Sequence, residues 1–311
     1  MSLESVSQIV THNGVFHADE VFACALLQIL TYAMIVRTRD KALMTPSETR
    51  ILVDVGDKYD PAAGQYDHHQ KQGKREPRSN RIPYSGFGLI WEAYGREYIE
   101  RFHPDLDAVE VEDVWNRVDK QLVCGIDASD CGVSLVEMKP EYVGYGLSLC
   151  AAISLLNPTW MESREQEEKS FSIAITTAKN IIERQVESAV GSVVAQDKVR
   201  KEMKKREHLN ILILNQFMPW QETVVQEDNG NLLYVIFKDK TDKWIVQAVP
   251  QQVNSFRCRK AFPKQWGGLR EKELQSLTGV EDATFCHVNL FLCGAKSLEG
   301  ARKLAEKALH A

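Results

Sequence analysis

Histidine and aspartate residues recur in four short groups, and three of these groups fall within the first 70 residues. Carboxylates are hard ligands that can bridge two cations, and imidazoles add nitrogen ligands, so the mixture suits Mn²⁺, Zn²⁺, Fe²⁺ or Mg²⁺. No cysteine lies within the groups, which argues against a structural zinc site held by thiolates. The groups are His12, His17 and Asp19; Asp54; Asp67, His68 and His69; and Asp127 and Asp130.

This mixture of ligands is typical of a hydrolytic site with two metal ions. Two cations about 3.5–4 Å apart would clamp a phosphoryl group and lower the pKa of the attacking water. Taken singly, the residues have ordinary structural explanations, since Asp19 can cap a helix and Asp127 or Asp130 can lie in a turn. The order of the first three groups within one short stretch favours the metal site.

The segments between these groups predict an α/β fold that positions them. Residues 9–11, 34–36 and 51–53 are short, continuous apolar runs, as expected for parallel strands covered on both faces. Residues 21–30 are rich in Ala and Leu and predict a buried helix after the first strand. Ligands bind at the carboxyl ends of strands in an open parallel sheet. The first three groups are therefore expected at that edge.

The chain beyond residue 57 predicts a loop, then helices, then a change of domain. Residues 57–81 are polar and predict a loop, and helical patterns cover 88–102, 106–123 and 143–156. Residues 161–207 are almost free of Gly and Pro and predict a long helix with a highly charged end. We therefore expect a first domain over 1–207, with a mostly parallel sheet and helices on both of its faces.

Residues 208–311 predict a smaller α+β domain. Strand patterns cover residues 211–214, 232–237, 244–249 and 284–288, separated by turn residues. A terminal helix is expected over 300–310.

Composition and charge exclude several classes of protein. The 311 residues are 44% hydrophobic and 26% charged, which excludes disorder as the main state. The net charge of −5 makes a passive, charge-driven nucleic-acid coat a poor description, so local groups must handle any phosphate. Residues 208–311 contain 13 Lys and Arg against 11 Asp and Glu, which leaves the acidic excess in the first domain.

The remaining sequence features indicate a soluble intracellular protein, cytoplasmic by sequence, with no membrane partner. The seven cysteines form no C-x-x-C pair and are expected to be reduced thiols. The longest strongly apolar run, 21–30, is too short to span a bilayer. The first eight residues lack the features of a secretory signal or transit peptide. The sequence leaves the oligomeric state open.

The order of the four groups resembles the DHH phosphoesterase superfamily, which is named for its Asp-His-His motif and includes RecJ-type exonucleases, oligoribonucleases and family II inorganic pyrophosphatases. A closer resemblance, over essentially the whole chain, is to the melanocyte-proliferating-gene protein family. The stretches that carry it are 11–20, 35–40, 53–60, 66–70, 156–160, 255–256, 266–270 and His287.

The resemblance implies a metal-binding α/β domain followed by a smaller domain, with the substrate lying between them. It implies a 3′→5′ RNA exonuclease that acts on RNA or short oligonucleotides in the nucleus or mitochondrion, most simply with two Mn²⁺ ions. By resemblance, His12, Asp19, Asp54 and His68 would be metal ligands, with Asp54 as the bridging carboxylate. Asp67 would hold a histidine of the pair, and His69 would meet the phosphate or the leaving group.

Two departures from the superfamily pattern concern the metal ligands. The usual first motif is His-x-x-x-Asp-x-Asp, but here the spacing is one residue longer and His17 stands in place of the first Asp. We therefore include His17 among the expected metal ligands. The fourth motif has two candidates, because Asp130 precedes Cys131-Gly132 while Asp127 lies three residues earlier. Asp130 is ranked slightly higher.

The second domain carries the expected substrate-binding residues. Many DHH exonucleases hold the terminal phosphate with a Gly-Gly-x-His loop, and residues 291–297 resemble its place although the second Gly and the His are absent. Backbone N–H groups before the last helix would still suit a phosphate, and nearby arginines would suit a nucleic-acid backbone. The residues are Arg257, Arg259, Arg270, His287, Gly294 and Lys296.

Two alternatives to the nuclease hypothesis stay open at this point. The same chemistry would suit a phosphatase or pyrophosphatase acting on pyrophosphate, a nucleoside bisphosphate or a cyclic dinucleotide. A non-enzymatic, metal-stabilised binding protein with the same fold is the second alternative.

Overall fold

The structure is a computed structural model that describes residues 3–71, 73, 75–137, 148–163, 165–253 and 255–311. The chain divides into two compact units, Met1–Val190 and Gly191–Ala311. The boundary falls inside the long helix α6 (Glu165–Lys205), whereas the sequence prediction places it at residue 207, after that helix. The difference has a packing cause, because Val199 and Met203 of α6 belong to a hydrophobic core of the second unit.

The sheet of the first unit has five short strands in the order β2-β1-β3-β5-β4. Its neighbouring strands run parallel except for β4 and β5, which confirms the expected parallel-rich α/β fold. β4 and β5 have two residues each and lie where the sequence predicts a loop, because so short a strand leaves no hydropathy pattern. The strands are β1 (Gln8–Thr11), β2 (Met34–Arg37), β3 (Arg50–Val53), β4 (Tyr59–Asp60) and β5 (Gln65–Tyr66).

The first unit also contains helices, and α2, α4 and α5 pack against α1, which is apolar on most sides. Phe22 of α1 and Phe87 of α2 have ring centroids 5.3 Å apart. The predicted helix over 106–123 is α3 followed by a π-helical turn. Of the predicted helix over 143–156, residues 143–147 lie outside the described residues. The helices are α1 (Ala18–Thr31), α2 (Gly86–Phe102), α3 (Ala108–Val118), α4 (Cys124–Asp130) and α5 (Leu149–Ser154).

The second unit has a five-stranded sheet of order β6-β7-β8-β10-β9, in which β6 and β7 run parallel and the other neighbours antiparallel. Trp266 and Phe262 stack in one hydrophobic core beside the last helix. The sequence prediction omits α7, α8 and β10. The elements are β6 (Ile211–Leu214), α7 (Gln221–Glu227), β7 (Tyr234–Lys238), β8 (Trp244–Ala248), α8 (Glu271–Thr278), β9 (Ala283–Cys286), β10 (Leu292–Ala295) and α9 (Leu298–Leu309).

Within the described part of the chain, no helix combines the length and the apolar character needed to cross a membrane.

Candidate metal centre

Three neighbouring parallel strands deliver the chemistry-bearing side chains to one edge of the first sheet. His12 directly follows β1, Asp54 follows β3, and the group 67–69 follows β5. Because β1, β3 and β5 lie side by side and run parallel, their carboxyl ends meet. The side chains that follow them line a single cleft of about 1560 Å³.

Asp54 is at the centre of this group. Its Oδ2 lies 3.4 Å from His12 Nε2, and its Oδ1 lies 3.2 Å from His68 Nε2 and 3.3 Å from His69 Nδ1. The backbone of Asp54 has a φ of 55°, in the left-handed region. Aspartate tolerates this region better than most residues, but it is still sparsely populated and is found preferentially at functional positions.

Two carboxylates of the first turn of α1 lie beside Asp54. Asp19 and Glu20 are both fully buried, and Glu20 Oε1 lies 3.1 Å from His12 Nε2. Asp19 Oδ2 accepts a hydrogen bond from the Gly86 N–H at 3.2 Å, at the amino end of α2. Asp19 Oδ1 is buried and has no hydrogen-bond partner among the described residues.

The loop between β1 and α1 adds His17. Its side chain is exposed, and its ring centroid is 5.8 Å from that of His12. One ligand atom of His17 lies within 4.8 Å of those of His12 and Glu20, and a second grouping joins His17 to Asp19 and Asp130. The lengthened first motif therefore still brings His17 to the cluster.

The two candidates for the fourth motif lie in different surroundings. Asp130 Oδ2 is 3.2 Å from His68 Nε2, so Asp130 joins the cluster. Asp127 is fully buried, and it accepts hydrogen bonds from the Ser85 hydroxyl at 2.6 Å and the Gly88 N–H at 3.0 Å. Arg78 lies 2.8 Å from its other oxygen. Asp127 is thus engaged by Arg78, and it belongs to none of the ligand groupings among the described residues.

The carboxylates around His12 and His68 raise the pKa of both imidazole rings. Burial opposes protonation of His12, but hydrogen bonds with Asp54 and Glu20 outweigh it and raise its pKa to about 10. For His68, burial is likewise outweighed by hydrogen bonds with Asp130 and Asp54, and its pKa rises to about 12. The local field of this cluster thus strongly favours positive charge.

The described residues fit a divalent cation. Asp19, Glu20 and Asp54 each place a ligand atom within 4.8 Å of the others. Burial, and then the charges of Asp54 and Glu20, raise the pKa of Asp19 well above its usual range. Crowded, buried carboxylates with an unpaired oxygen are costly unless a cation compensates them. The cluster can therefore bind metal ions.

His69 is oriented by a separate contact. Its Nδ1 lies 2.9 Å from Asp67 Oδ1, while Asp67 Oδ2 accepts the Asp57 N–H at 2.7 Å. The pKa of His69 is raised to about 9 by a hydrogen bond with Asp54, and burial opposes this shift while a hydrogen bond with Asp67 adds to it. The ring lines the cleft and is about half exposed, at 56%. Because Nδ1 is engaged, Nε2 is the nitrogen left for a ligand in the cleft.

The second unit brings two of the predicted substrate-binding residues together. Arg270 and Lys296 line one groove of about 720 Å³, together with Lys243 and Phe285. Arg257 is exposed elsewhere, and His287 packs its ring 4.6 Å from Phe291.

Two other predicted substrate-binding residues are occupied by structural contacts. Arg259 donates to Asp228 Oδ2 at 2.9 Å and to the Leu232 carbonyl at 3.0 Å. Gly294 lies inside β10, where a Cβ would be 2.6 Å from the Phe285 ring, so its glycine serves packing.

The turn that follows Gly294 differs from the predicted phosphate loop. Ser297 caps α9, and its backbone N–H donates a hydrogen bond to Asp282 Oδ2 at 2.7 Å. The backbone N–H of Lys296 donates to the Asp282 carbonyl at 3.0 Å. A carboxylate of the chain itself therefore holds the place that the prediction gives to a phosphate.

Two members of the cluster were missed from the sequence. Glu20 looks like an ordinary acidic residue of a first helical turn, and it does accept the His17 N–H at 2.8 Å as a capping residue. Its complete burial, which only the structure shows, distinguishes it from such a residue. Cys131 follows Asp130 and places its sulfur within 4.8 Å of ligand atoms of His68 and Asp130. Neither residue has a motif spacing of its own.

The chain resembles known proteins over almost its whole length. Residues 8–309 match the family model MYG1_exonuc, described as "Uncharacterised protein family (UPF0160)". The chain is 33% identical to a MYG1 protein of Schizosaccharomyces pombe, over 99% of this chain and 98% of the relative. It is 30% identical to the MYG1 exonucleases of Mus musculus (99% and 86%) and Homo sapiens (97% and 85%). No solved structure matches. The chain therefore belongs to the MYG1 family, which confirms the family predicted from its motifs.

Proposed function

We propose that this chain is a metal-dependent phosphodiesterase, a 3′→5′ exonuclease that shortens RNA or short oligonucleotides and uses a DHH-type domain. The observation that carries the proposal is Asp54, which contacts three histidines and lies beside buried Asp19 and Glu20. The mouse and human relatives bear the name exonuclease, which supports a nucleic acid as the substrate.

The cluster would hold two divalent cations, Mn²⁺ in our assignment, which would neutralise the phosphate and lower the pKa of the attacking water. Asp54 belongs to two ligand groupings, one with His68 and His69 and one with Asp19 and Glu20, which supports two positions. Asp54 would be the residue shared by both cations. The ligands are His12, His17, Asp19, Asp54, His68 and Asp130, and we add Glu20 to the predicted set.

His69 would act on the substrate without binding metal, and Asp67 would position the His69 ring. Asp67 fixes the His69 ring through Nδ1, and the Asp57 N–H holds Asp67 in place. His69 Nε2 would then donate a hydrogen bond to the scissile phosphate or give its proton to the leaving oxygen. The carboxylate behind the imidazole stabilises the protonated form that this step needs.

The size of the cleft favours an oligonucleotide over pyrophosphate. Its volume of about 1560 Å³ exceeds the roughly 300–1,000 Å³ typical of sites that enclose a small molecule. A pyrophosphate-sized ligand would leave most of this space to water.

The test compares Asp54→Asn with Asp57→Asn in Mn²⁺ assays on labelled RNA, pyrophosphate and small nucleotides. Both positions have positive φ, 55° and 52°, which asparagine tolerates. Asp57 lines the cleft but belongs to no ligand grouping among the described residues. Asp54→Asn should lower RNA hydrolysis by more than the roughly 100-fold that follows loss of a residue behind a metal ligand. Asp57→Asn should stay close to wild type.

The comparison of RNA, pyrophosphate and small nucleotides as substrates separates the alternative functions. Full metal-dependent hydrolysis by a folded Asp54→Asn protein would contradict the proposed site. Cleavage of pyrophosphate or a small nucleotide in preference to RNA would replace the exonuclease assignment. Bound metal with no hydrolysis of any phosphoester would support the non-enzymatic alternative.

A further inference from the structure

Two arginines two residues apart, at the end of β2, have opposite surroundings. The side chain of Arg37 is almost fully buried, at 1% exposure, and lies 2.9 Å from Glu167 Oε1. It also donates to the Gly14 carbonyl and stacks 4.4 Å over the Phe171 ring. Arg39 is exposed and makes no hydrogen bond or ion pair with any described residue. Arg37 is thus committed to the fold, and Arg39 is not.

Arg39 lines the cleft that contains the metal cluster. β2 is the parallel neighbour of β1, and the Thr38 N–H bonds the Thr11 carbonyl at 2.8 Å, so the chain beyond β2 leaves at the edge that carries His12. Among the described lining residues, the other lysine or arginine is Arg75. Arg75 is already engaged, with its Nε 3.0 Å from Glu92 Oε2.

The charges around the cleft leave a role for a free cation. Four carboxylates at the centre, those of Asp19, Glu20, Asp54 and Asp130, would be balanced by two divalent cations. The metal ions can then take the scissile phosphate, but the next phosphate of an oligonucleotide has no cation assigned to it. A guanidinium binds phosphate through two parallel N–H···O contacts. An arginine that pairs with no carboxylate can make these contacts without first breaking an ion pair.

We infer that Arg39 binds a phosphate of the substrate other than the one that is cleaved, and so makes the cleft prefer chains with two or more phosphates. This inference rests on the proposed function for its substrate class. It makes Arg39 a residue that determines specificity, and it does not require Arg39 to contact the metal ions.

The test uses two ligands that differ by one phosphate: the dinucleotide ApA and its 5′-phosphorylated form pApA. Binding is measured by titration calorimetry with Ca²⁺, a cation that also takes carboxylate ligands, and hydrolysis is measured with Mn²⁺. Wild-type protein should bind pApA about tenfold or more tightly than ApA. Arg39→Ala should lose most of that preference while binding ApA as before. Arg39→Lys should retain part of it, because charge remains without the bidentate contact.

Lys41→Ala is the matched control. Lys41 lies in the same segment and is exposed, and it is not among the residues that line the cleft. Removing it subtracts the same charge and should leave the preference for pApA unchanged. Calorimetric titration of each variant with Mn²⁺ should give the wild-type metal affinity.

The outcomes separate this inference from the proposed function. An unchanged preference in Arg39→Ala, an equal loss for both ligands, or no preference in the wild type would overturn the role of Arg39. A preference that depends on Arg39 in a protein that hydrolyses neither ligand would support the phosphate site and contradict the proposed enzyme.

Discussion

At the scale of single residues, buried carboxylates determine where the chain requires glycine. Gly86 and Gly88 lie in the first turn of α2, and the backbone N–H of each donates a hydrogen bond to a carboxylate. Gly86 donates to Asp19, and Gly88 donates to Asp127. A Cβ at Gly88 would lie 1.9 Å from Asp127 Oδ2, and that aspartate is fixed by Arg78. The carboxylates of Asp19 and Asp127 therefore leave no room for a side chain at the first turn of α2.

Gly88→Ala should lower the free energy of unfolding by about 3 kcal/mol, because the methyl group must displace a buried, paired carboxylate. Gly125→Ala is the control: Gly125 is helical and its Cβ would meet nothing within 4 Å. That change should be neutral or stabilise the protein by up to about 1 kcal/mol. Urea unfolding measures both, and equal stability of the two variants would contradict the assigned packing.

At the scale of elements, the loop between β1 and α1 is held from outside. Asn157 uses both ends of its amide on one residue of the loop: Oδ1 accepts the Phe16 N–H at 2.9 Å, and Nδ2 donates to the Phe16 carbonyl at 2.8 Å. Arg37 and Glu167 hold Gly14 in the same loop. The segment that carries His12 and His17 is thereby fixed without any regular structure of its own.

Asn157→Ala should weaken Mn²⁺ binding by about tenfold and lower stability by about 1–2 kcal/mol, because two hydrogen bonds to the ligand loop are lost. Asn116→Ala removes an amide whose bonds to described residues all go to Glu112 of its own helix, and it should leave Mn²⁺ affinity unchanged. Titration calorimetry and urea unfolding give the two quantities. If Asn157→Ala kept wild-type Mn²⁺ affinity, the loop would not depend on this clamp.

At the scale of the whole molecule, the net charge of −5 describes the chain without metal. Several negative charges are concentrated in one buried cluster, where Asp19, Glu20 and Asp54 repel each other. Divalent cations would offset about four of these charges. A negative net charge is therefore compatible with a nucleic-acid substrate.

Mn²⁺ should stabilise the folded protein through mass action. At a free concentration of 100 times its Kd, a single bound ion raises the free energy of unfolding by about 2.7 kcal/mol. Thermal unfolding in excess Mn²⁺ and in chelator should therefore show a higher midpoint with metal. Asp54→Asn should remove most of this shift, and Asp57→Asn should keep it. An equal shift in all three proteins would mean that the metal binds elsewhere.

The sequence by itself determined the first three strands, the helix that follows β1, and the edge of the sheet on which the chemistry lies. Continuous apolar runs identify β1, β2 and β3, and in a parallel sheet the residue after each strand must point to the same edge. This reasoning places His12 and Asp54 side by side without coordinates. The motif pattern likewise identified the family, because motif order and spacing are properties of the sequence alone.

Only the tertiary structure decided which of the charged residues meet. Spacing could not separate Asp127 from Asp130, because the choice depends on Arg78, a distant residue that pairs with Asp127. Arg259 is held by Asp228, whereas Arg39 lines the cleft and pairs with no residue in the described part of the chain. The physical reason is that a charged side chain is paired or left open to a ligand according to residues far away in the chain. Hydropathy and motif spacing describe only residues that are near neighbours in the sequence.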